Sequence, residues 1–152
     1  MNSSSITLFM EAALKEAKKA ISIDEVPVGA IVVYKNKIIG LGHNSVISDC
    51  SVSAHAEINA ISRASSFLKN YRLNHCDLYV TLEPCHMCAK AIVDARINHI
   101  YFSALEPKTG AVVSVDNYLD KPYLNHKVGY SYGYMADDSA KLLQDFFKSK
   151  RI

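Results

Sequence analysis

A histidine and two cysteines, far apart in the chain, form one set of metal ligands, and this set constrains the fold more than any other feature. His55 is followed two positions later by Glu57, and Cys85 and Cys88 are separated by two residues. One imidazole and two thiolates fill three corners of a tetrahedral zinc site and leave the fourth open to water. The fold must therefore bring His55 beside both cysteines, and the open corner predicts a catalytic metal.

The residues around both ligand groups predict helix starts. Pro84 favours a helix entry, and Cys85 and Cys88, at positions i and i+3, would point the same way from its first turn. Amide N–H groups at that end lower the pKa of a cysteine and favour the thiolate that zinc requires. A second helix is predicted over 55–68. Its predicted apolar face consists of Ile58, Ile61, Ala64 and Leu68.

Glu57 is the candidate catalytic proton carrier. Two thiolates make zinc a weaker Lewis acid, so a bound water needs a nearby base, and Glu57 is close to His55 in the chain. A Cys-x-x-Cys pair alone also occurs in redox pairs and structural zinc sites, and His-x-Glu alone is common. Their combination favours catalysis. Cys50 and Cys76 lack ligand spacing, so we expect both to be small buried hydrophobic residues.

Composition predicts one domain over residues 1–152. A chain of 152 residues with 49% apolar residues can bury a sizeable core. We find no signal peptide or membrane-spanning segment, and two cysteines must stay reduced to bind metal, so we expect a soluble cytoplasmic protein without a membrane partner. A net charge of +2 leaves RNA binding open without predicting it.

The order of predicted elements indicates an α/β fold, with a mixed sheet of about five strands and helices on both faces. Helices are predicted over 6–21, 55–68, 85–95 and 136–150. Strands are predicted over 28–34, 38–42, 78–81 and 100–103, with a weaker strand before the last helix. Residues 35–37 form the predicted hairpin turn, and the later strands are joined by strand-helix-strand crossovers.

Several segments besides the metal motif resemble one enzyme family. These segments are residues 26–30, 42–44, 54–57, 81–88, 96–97, 108–111, 125–126 and 136–147. Across nearly the whole chain they resemble the cytidine and deoxycytidylate deaminase superfamily and, within it, the bacterial tRNA-specific adenosine deaminases. The resemblance implies a three-layer cytidine-deaminase-like fold, one Zn²⁺ per subunit held by His55, Cys85 and Cys88, and a homodimer.

The implied activity is hydrolytic deamination of adenosine to inosine at the wobble position of a tRNA anticodon, with an arginine tRNA as the expected substrate. Glu57 would move the protons, as in zinc nucleobase deaminases generally. The implied partner is the anticodon stem-loop, and DNA is not expected. A guanine or cytosine deaminase acting on free bases would use the same zinc chemistry and remains the alternative. A third possibility is a module without catalytic activity that folds around zinc and only binds RNA or another partner. It is disfavoured because a structural zinc site needs no proton carrier such as Glu57.

The resemblance also implies six substrate-binding residues. The Asn44 side chain would hydrogen-bond the flipped base, although Asn44 could also be only a turn residue after a strand. Glu106 stands where an aspartate near a neighbouring ribose is common. Phe147 would contact the anticodon loop, or belong to the core with its helical neighbours. The remaining residues are the Ala56 backbone N–H, which would contact the base, and the apolar walls Pro27 and Val28.

The end of the chain adds a small aromatic and basic cluster. Lys148, Lys150 and Arg151 follow Phe146 and Phe147 in the last predicted helix. Cations beside aromatic rings can bind single-stranded nucleic acid. Lysines and arginines are also common in last helical turns, where they complement the helix dipole, and this reading is preferred from the sequence alone.

Overall fold

Five strands form one mixed sheet at the centre of the protein, and α-helices cover both of its faces. The computed structural model describes residues 3–150, so Met1, Asn2, Arg151 and Ile152 lie outside the described residues. The helices are α1 (Ser3–Ser22), α2 (Ala56–Leu68), α3 (His86–Asp94) and α4 (Ala136–Lys150). The strands are β1 (Gly29–Tyr34), β2 (Lys37–His43), β3 (Cys76–Leu82), β4 (His99–Ala104) and β5 (Gly129–Tyr132).

The sheet combines antiparallel and parallel pairing in the order β2, β1, β3, β4, β5. Strand β1 runs antiparallel to β2 and β3, while β3, β4 and β5 run parallel. Tyr34 pairs with Lys37 across the hairpin. The two residues between them, Lys35 and Asn36, have positive φ angles of 50° and 63°, as a type I′ turn requires. Strand β2 therefore begins one residue earlier than predicted.

Side chains alternate between two apolar layers along the central strands. Ala30 and Val32 of β1 pack in the cluster formed with α2 and α3, whereas Ile31 and Val33 pack against α1. Helix α4 lies on the α1 side, against β3 and β4. The resulting helix-sheet-helix arrangement confirms the predicted three-layer α/β fold.

Helix α2 packs on the sheet through smaller side chains than the sequence predicted. Ile58 is only half-buried, while Ala60 and Ala64 are fully buried. On the facing strand, a Cβ at Gly40 or Gly42 would overlap the α2 backbone. The close approach leaves room for alanine but not for a larger side chain. The buried residues of α2 are Ala56, Glu57, Ala60 and Ala64.

Helix α1 covers the opposite face of the sheet. Met10, Ala13 and Ala17 are fully buried there. Gly29 lies so close to α1 that a Cβ would overlap the Ala13 carbonyl. Ile21, the last residue of the predicted helix, is 41% exposed, near the end of α1. Within residues 3–150, no helix is both long and apolar enough to cross a membrane.

The two cysteines outside the metal motif have different environments. Cys76, at the start of β3, is fully buried as predicted, and burial raises the pKa of its thiol to about 11. Cys50 is exposed, so its predicted burial is wrong. It lies in a surface turn between β2 and α2 with a φ of 50°, where no element covers it.

Candidate active site

The predicted metal ligands lie at the starts of two helices that meet at one point. His55 is the N-cap residue of α2, and Cys85 is the N-cap residue of α3. Cys88 lies one turn into α3, where it is fully buried. Pro84 precedes the cap, so it ends the extended segment before α3 and does not occupy the first helical position. Two N-terminal helix ends therefore converge, as the ligand spacing predicted.

The distances between the ligand atoms fit a tetrahedral metal. His55 Nδ1 lies 3.7 Å from Cys85 Sγ and 3.5 Å from Cys88 Sγ. Metal bonds of about 2.3 Å to sulfur and about 2.0 Å to nitrogen, at a tetrahedral angle, separate such atoms by roughly 3.5 Å. The three residues form a possible metal-binding group among the described residues. The residues present therefore fit a metal bound through Nδ1 and two thiolates.

The two thiols differ in acidity. The pKa of Cys85 is lowered to about 3, mainly because Cys88 donates a hydrogen bond to its sulfur, with a further contribution from His55. The pKa of Cys88 is raised, because it is the donor in this pair and because it is buried. A divalent cation would supply the positive charge that lets Cys88 lose its proton as well.

Glu57 is buried beside these ligands. Its side chain is 4% exposed, and burial is the main reason that its pKa is raised to about 7. The negative charge of Cys85 raises the pKa further, whereas His55 lowers it. A carboxyl group with a pKa near neutrality can both accept and donate a proton under ordinary conditions, as a general acid-base catalyst requires.

A cleft of about 210 Å³ opens over the ligand group. This volume is below the roughly 300 Å³ at which pockets for drug-sized ligands begin, and it suits a small flat group such as one base. A larger groove between α1 and α4 is lined by lysines, acidic residues and apolar side chains, away from the ligands. The cleft is lined by Val26, Val28, Asn44, His55, Ala56, Glu57, Leu82, Glu83, Cys85, Glu106 and Thr109.

Comparison with known proteins identifies the family. Residues 4–151 match the family model of the MafB19-like deaminases. The tRNA-specific adenosine deaminase of Aquifex aeolicus is 50% identical over 143 residues, which cover 94% of each chain. The chain belongs to the tRNA-specific adenosine deaminases. The His55, Cys85 and Cys88 group therefore lies in a deaminase chain.

Solved structures agree with this assignment. A structure from biochemical and structural studies of A-to-I editing by tRNA:A34 deaminases has a TM-score of 0.88 and 44% identity, covering 90% of this chain and 99% of the other. The guanine deaminase of Bacillus subtilis has a TM-score of 0.64 and 28% identity, covering 100% and 96%. The deaminase therefore shares its fold with enzymes that act on different bases.

The cleft contains most of the predicted substrate-binding residues of the deaminase. Asn44, Val28, Ala56 and Glu106 all line it. Pro27 does not line it, because Val26 and Val28 alternate toward the cleft in an extended segment and Pro27, between them, is buried on the other side. The apolar wall therefore includes Val26, which the sequence analysis missed.

Phe147 lies outside the cleft, on α4. Its side chain is 45% exposed and packs edge-on against Phe146, with 5.6 Å between ring centroids. The Lys150 ammonium lies 5.5 Å from the Phe146 ring centroid and also pairs with Asp24. Phe147 is not a buried core residue, so the predicted core alternative does not describe it. Its proposed RNA contact remains a prediction.

Two buried glutamates beside the cleft were missed by the sequence analysis. Glu25 accepts hydrogen bonds from the Ile47 and Ser48 amides, at 3.2 and 2.7 Å, in the loop that follows Asn44. Glu83 does the same for the loop that contains Glu106. Both glutamates adjoin apolar residues, Val26 and Leu82, and this is a weak sequence signal for their burial.

In this deaminase the Glu83 carboxylate accepts five hydrogen bonds, four from backbone amides and one from a hydroxyl group. Burial alone would raise its pKa, but hydrogen bonds, first of all from Ser114, more than offset that effect and lower the pKa. Its side chain is therefore a buried, fully engaged anion. The donors are the backbone amides of Glu106 (3.0 Å), Val112 (3.1 Å), Val113 (2.7 Å) and Ser114 (2.9 Å), and the Ser114 hydroxyl (2.5 Å).

Proposed function

We propose that the protein hydrolyses adenosine to inosine at the wobble position of a tRNA anticodon, with an arginine tRNA as substrate. The observation that carries this proposal is the buried Glu57 beside a His-Cys-Cys ligand group, in a chain 50% identical to a tRNA-specific adenosine deaminase. The reaction consumes one water and releases one ammonia.

We propose Zn²⁺ as the metal, one ion per subunit, because an imidazole and two thiolates at tetrahedral spacing suit zinc. Zinc supplies the Lewis acidity that makes a water nucleophilic near neutral pH. Glu57 is the catalytic residue that takes the proton of this water. It would give this proton to the adenine ring nitrogen, then take the second proton of the water from the oxygen now bound to C6 and give it to the amine, which leaves as ammonia. A pKa of about 7 suits both accepting and donating.

The cleft residues would hold the flipped base over the ligands. Asn44 and the Ala56 backbone N–H provide polar contacts, and Val28 provides an apolar wall, with Pro27 supporting it from behind. Glu106, at the cleft mouth, would contact the ribose of a neighbouring nucleotide. Hydrogen bonds to the base edge select one base over another, because an analogue that lacks a partner leaves a buried polar group unpaired.

The proposed partner is the anticodon stem-loop, which would extend beyond the cleft toward Phe147. We also propose that residues 1–152 form one deaminase domain that works as a homodimer in the cytoplasm. Continuous packing of both sheet faces supports the single domain. The exposed apolar residues Val113, in the loop that contains Glu106, and Val115, just after it, support a subunit contact near the cleft.

Product analysis of the zinc-loaded protein tests the proposal. The substrates are a tRNA with adenosine at the wobble position, free adenosine, cytidine, cytosine and guanine. We expect inosine only in the tRNA, and none with Glu57→Ala, which should keep its metal and fold. Turnover of guanine or cytosine instead would support a free-base deaminase, and full activity of Glu57→Ala would refute the proton-transfer role.

A further inference from the structure

The hydrogen bonds that the Glu83 carboxylate accepts all come from one segment. We define the 106–114 loop as residues 106–114, which follow β4 and precede a short 3-10 helix (Tyr118–Asp120). All five donors to the Glu83 carboxylate belong to this loop, at its first residue and over its last three. One side chain therefore joins the two ends of the loop.

The loop is wrapped tightly around the carboxylate. A Cβ at Gly110 would overlap the carboxyl group of Glu83, so only glycine leaves room for the loop to cross there. The Ala111 amide also donates to the Pro84 carbonyl at 2.8 Å, beside Glu83. The segment that leads to Cys85 thus holds the loop through both its backbone and its side chain.

The loop presents side chains to the cleft although it has no regular structure of its own. Glu106 and Thr109 line the cleft, while Lys108 is exposed. Residues 106–114 form no helix or strand, and Val112 is buried. Buried amides require acceptors, and Glu83 accepts from three consecutive amides, residues 112–114. The loop conformation therefore depends on this carboxylate together with two backbone bonds, from the Gly110 amide to the Glu106 carbonyl and from the Ala111 amide to the Pro84 carbonyl.

We propose that Glu83 is a positioning residue that holds Glu106 and Thr109 against the RNA nucleotide in the cleft. The proposal rests on the proposed function, since it requires an RNA substrate larger than the base itself. Glu83 acts through the loop and does not contact the reacting atoms. Loss of its carboxylate should weaken RNA binding more than it slows the chemical step at Glu57.

Glu83→Gln is the decisive variant. Its side-chain NH₂ group would replace one of the two oxygens that accept hydrogen bonds from the loop amides. Two N–H donors would then face each other, and the hydrogen bonds at that position would be lost. With a wobble-adenosine stem-loop as substrate, we expect KM to rise about tenfold while kcat changes less than about threefold. Hydrogen-deuterium exchange at residues 112–114 should accelerate, and the zinc content should not change.

Two further variants serve as comparisons. Ser114→Ala removes one of the five hydrogen bonds and keeps the carboxylate, so its KM should rise less than about threefold. Glu83→Asp keeps the charge on a shorter side chain and should fall between wild type and Glu83→Gln. It also carries the test if Glu83→Gln does not fold.

The outcomes separate this proposal from the proposed function. An unchanged KM in Glu83→Gln, or a lost metal with a collapsed kcat, would overturn the positioning role, the latter because Glu83 would then support the cysteines. Failure of the wild type to form inosine would reject the proposed function. In that case the positioning role is tested by measuring the Kd of the stem-loop for both proteins. Equal Kd values for wild type and Glu83→Gln would overturn the positioning role as well.

Discussion

The candidate metal centre, formed by His55, Cys85 and Cys88 with Glu57 beside them, and helix α4 are built in opposite ways. At the metal centre, Glu57 and Cys88 are buried and contact other site residues, so each side chain is held by its neighbours. In α4, only Ser139 is buried, and Phe147 is 45% exposed. Proton transfer requires atoms held within hydrogen-bond reach, whereas RNA contact requires side chains that are accessible. Substitutions at the two regions should therefore change different quantities.

Cys88→Ala should have the largest effect. Two ligands remain, so zinc should be lost, and activity should fall more than about a hundredfold, since loss of even a supporting residue behind a ligand typically costs about 10- to 100-fold. Elemental analysis and inosine formation measure the two effects. The exposed Cys50 offers a matched control, and Cys50→Ala should keep both metal and activity. Full zinc content in Cys88→Ala would contradict the ligand assignment.

Asn44→Ala should have the next largest effect. The variant loses the proposed hydrogen bond to the base, so kcat/KM for the stem-loop should fall roughly 10- to 100-fold with the metal retained. Steady-state kinetics and metal analysis provide the test. Asn44→Asp keeps an acceptor and lacks the N–H donor, so it shows which half of the amide is used. Unchanged kinetics in Asn44→Ala would leave Asn44 as a turn residue only.

Phe147→Ala should have the smallest effect. If Phe147 stacks on the anticodon loop, KM should rise about fivefold, with kcat and the unfolding temperature nearly unchanged, because the side chain is exposed. Phe67 on α2 is also exposed, at 66%, and serves as the matched control. Equal KM values for Phe147→Ala and Phe67→Ala would remove the distinction between the metal centre and an RNA-binding α4.

Much of the local structure followed from the sequence. The bounds of α4 were predicted as observed, and the predicted start of α2 was displaced by one residue, because His55 is its cap. Helix and strand periods, turn residues and ligand spacing act over a few residues, so a single segment contains their signal. The ligand set even predicted a long-range contact, since His55 and Cys85 can bind one metal only when two helix starts meet.

Contacts between segments required the tertiary structure. Nothing local distinguishes the exposed Cys50 from the buried Cys76, or Val26 at the cleft from Pro27 behind it. Likewise, a glutamate beside Leu82 has no local partner that explains its burial. The amides that donate to its carboxylate reach it only when the 106–114 loop folds over it.

The sequence by itself thus determined the chemistry, the elements and the class of fold. The tertiary structure decided that Val26 lines the cleft and Pro27 does not, and how the loop that contains Glu106 is held. The physical reason is range. Ligand type and periodicity are properties of short segments, whereas burial and hydrogen-bond pairing depend on which distant segments pack together.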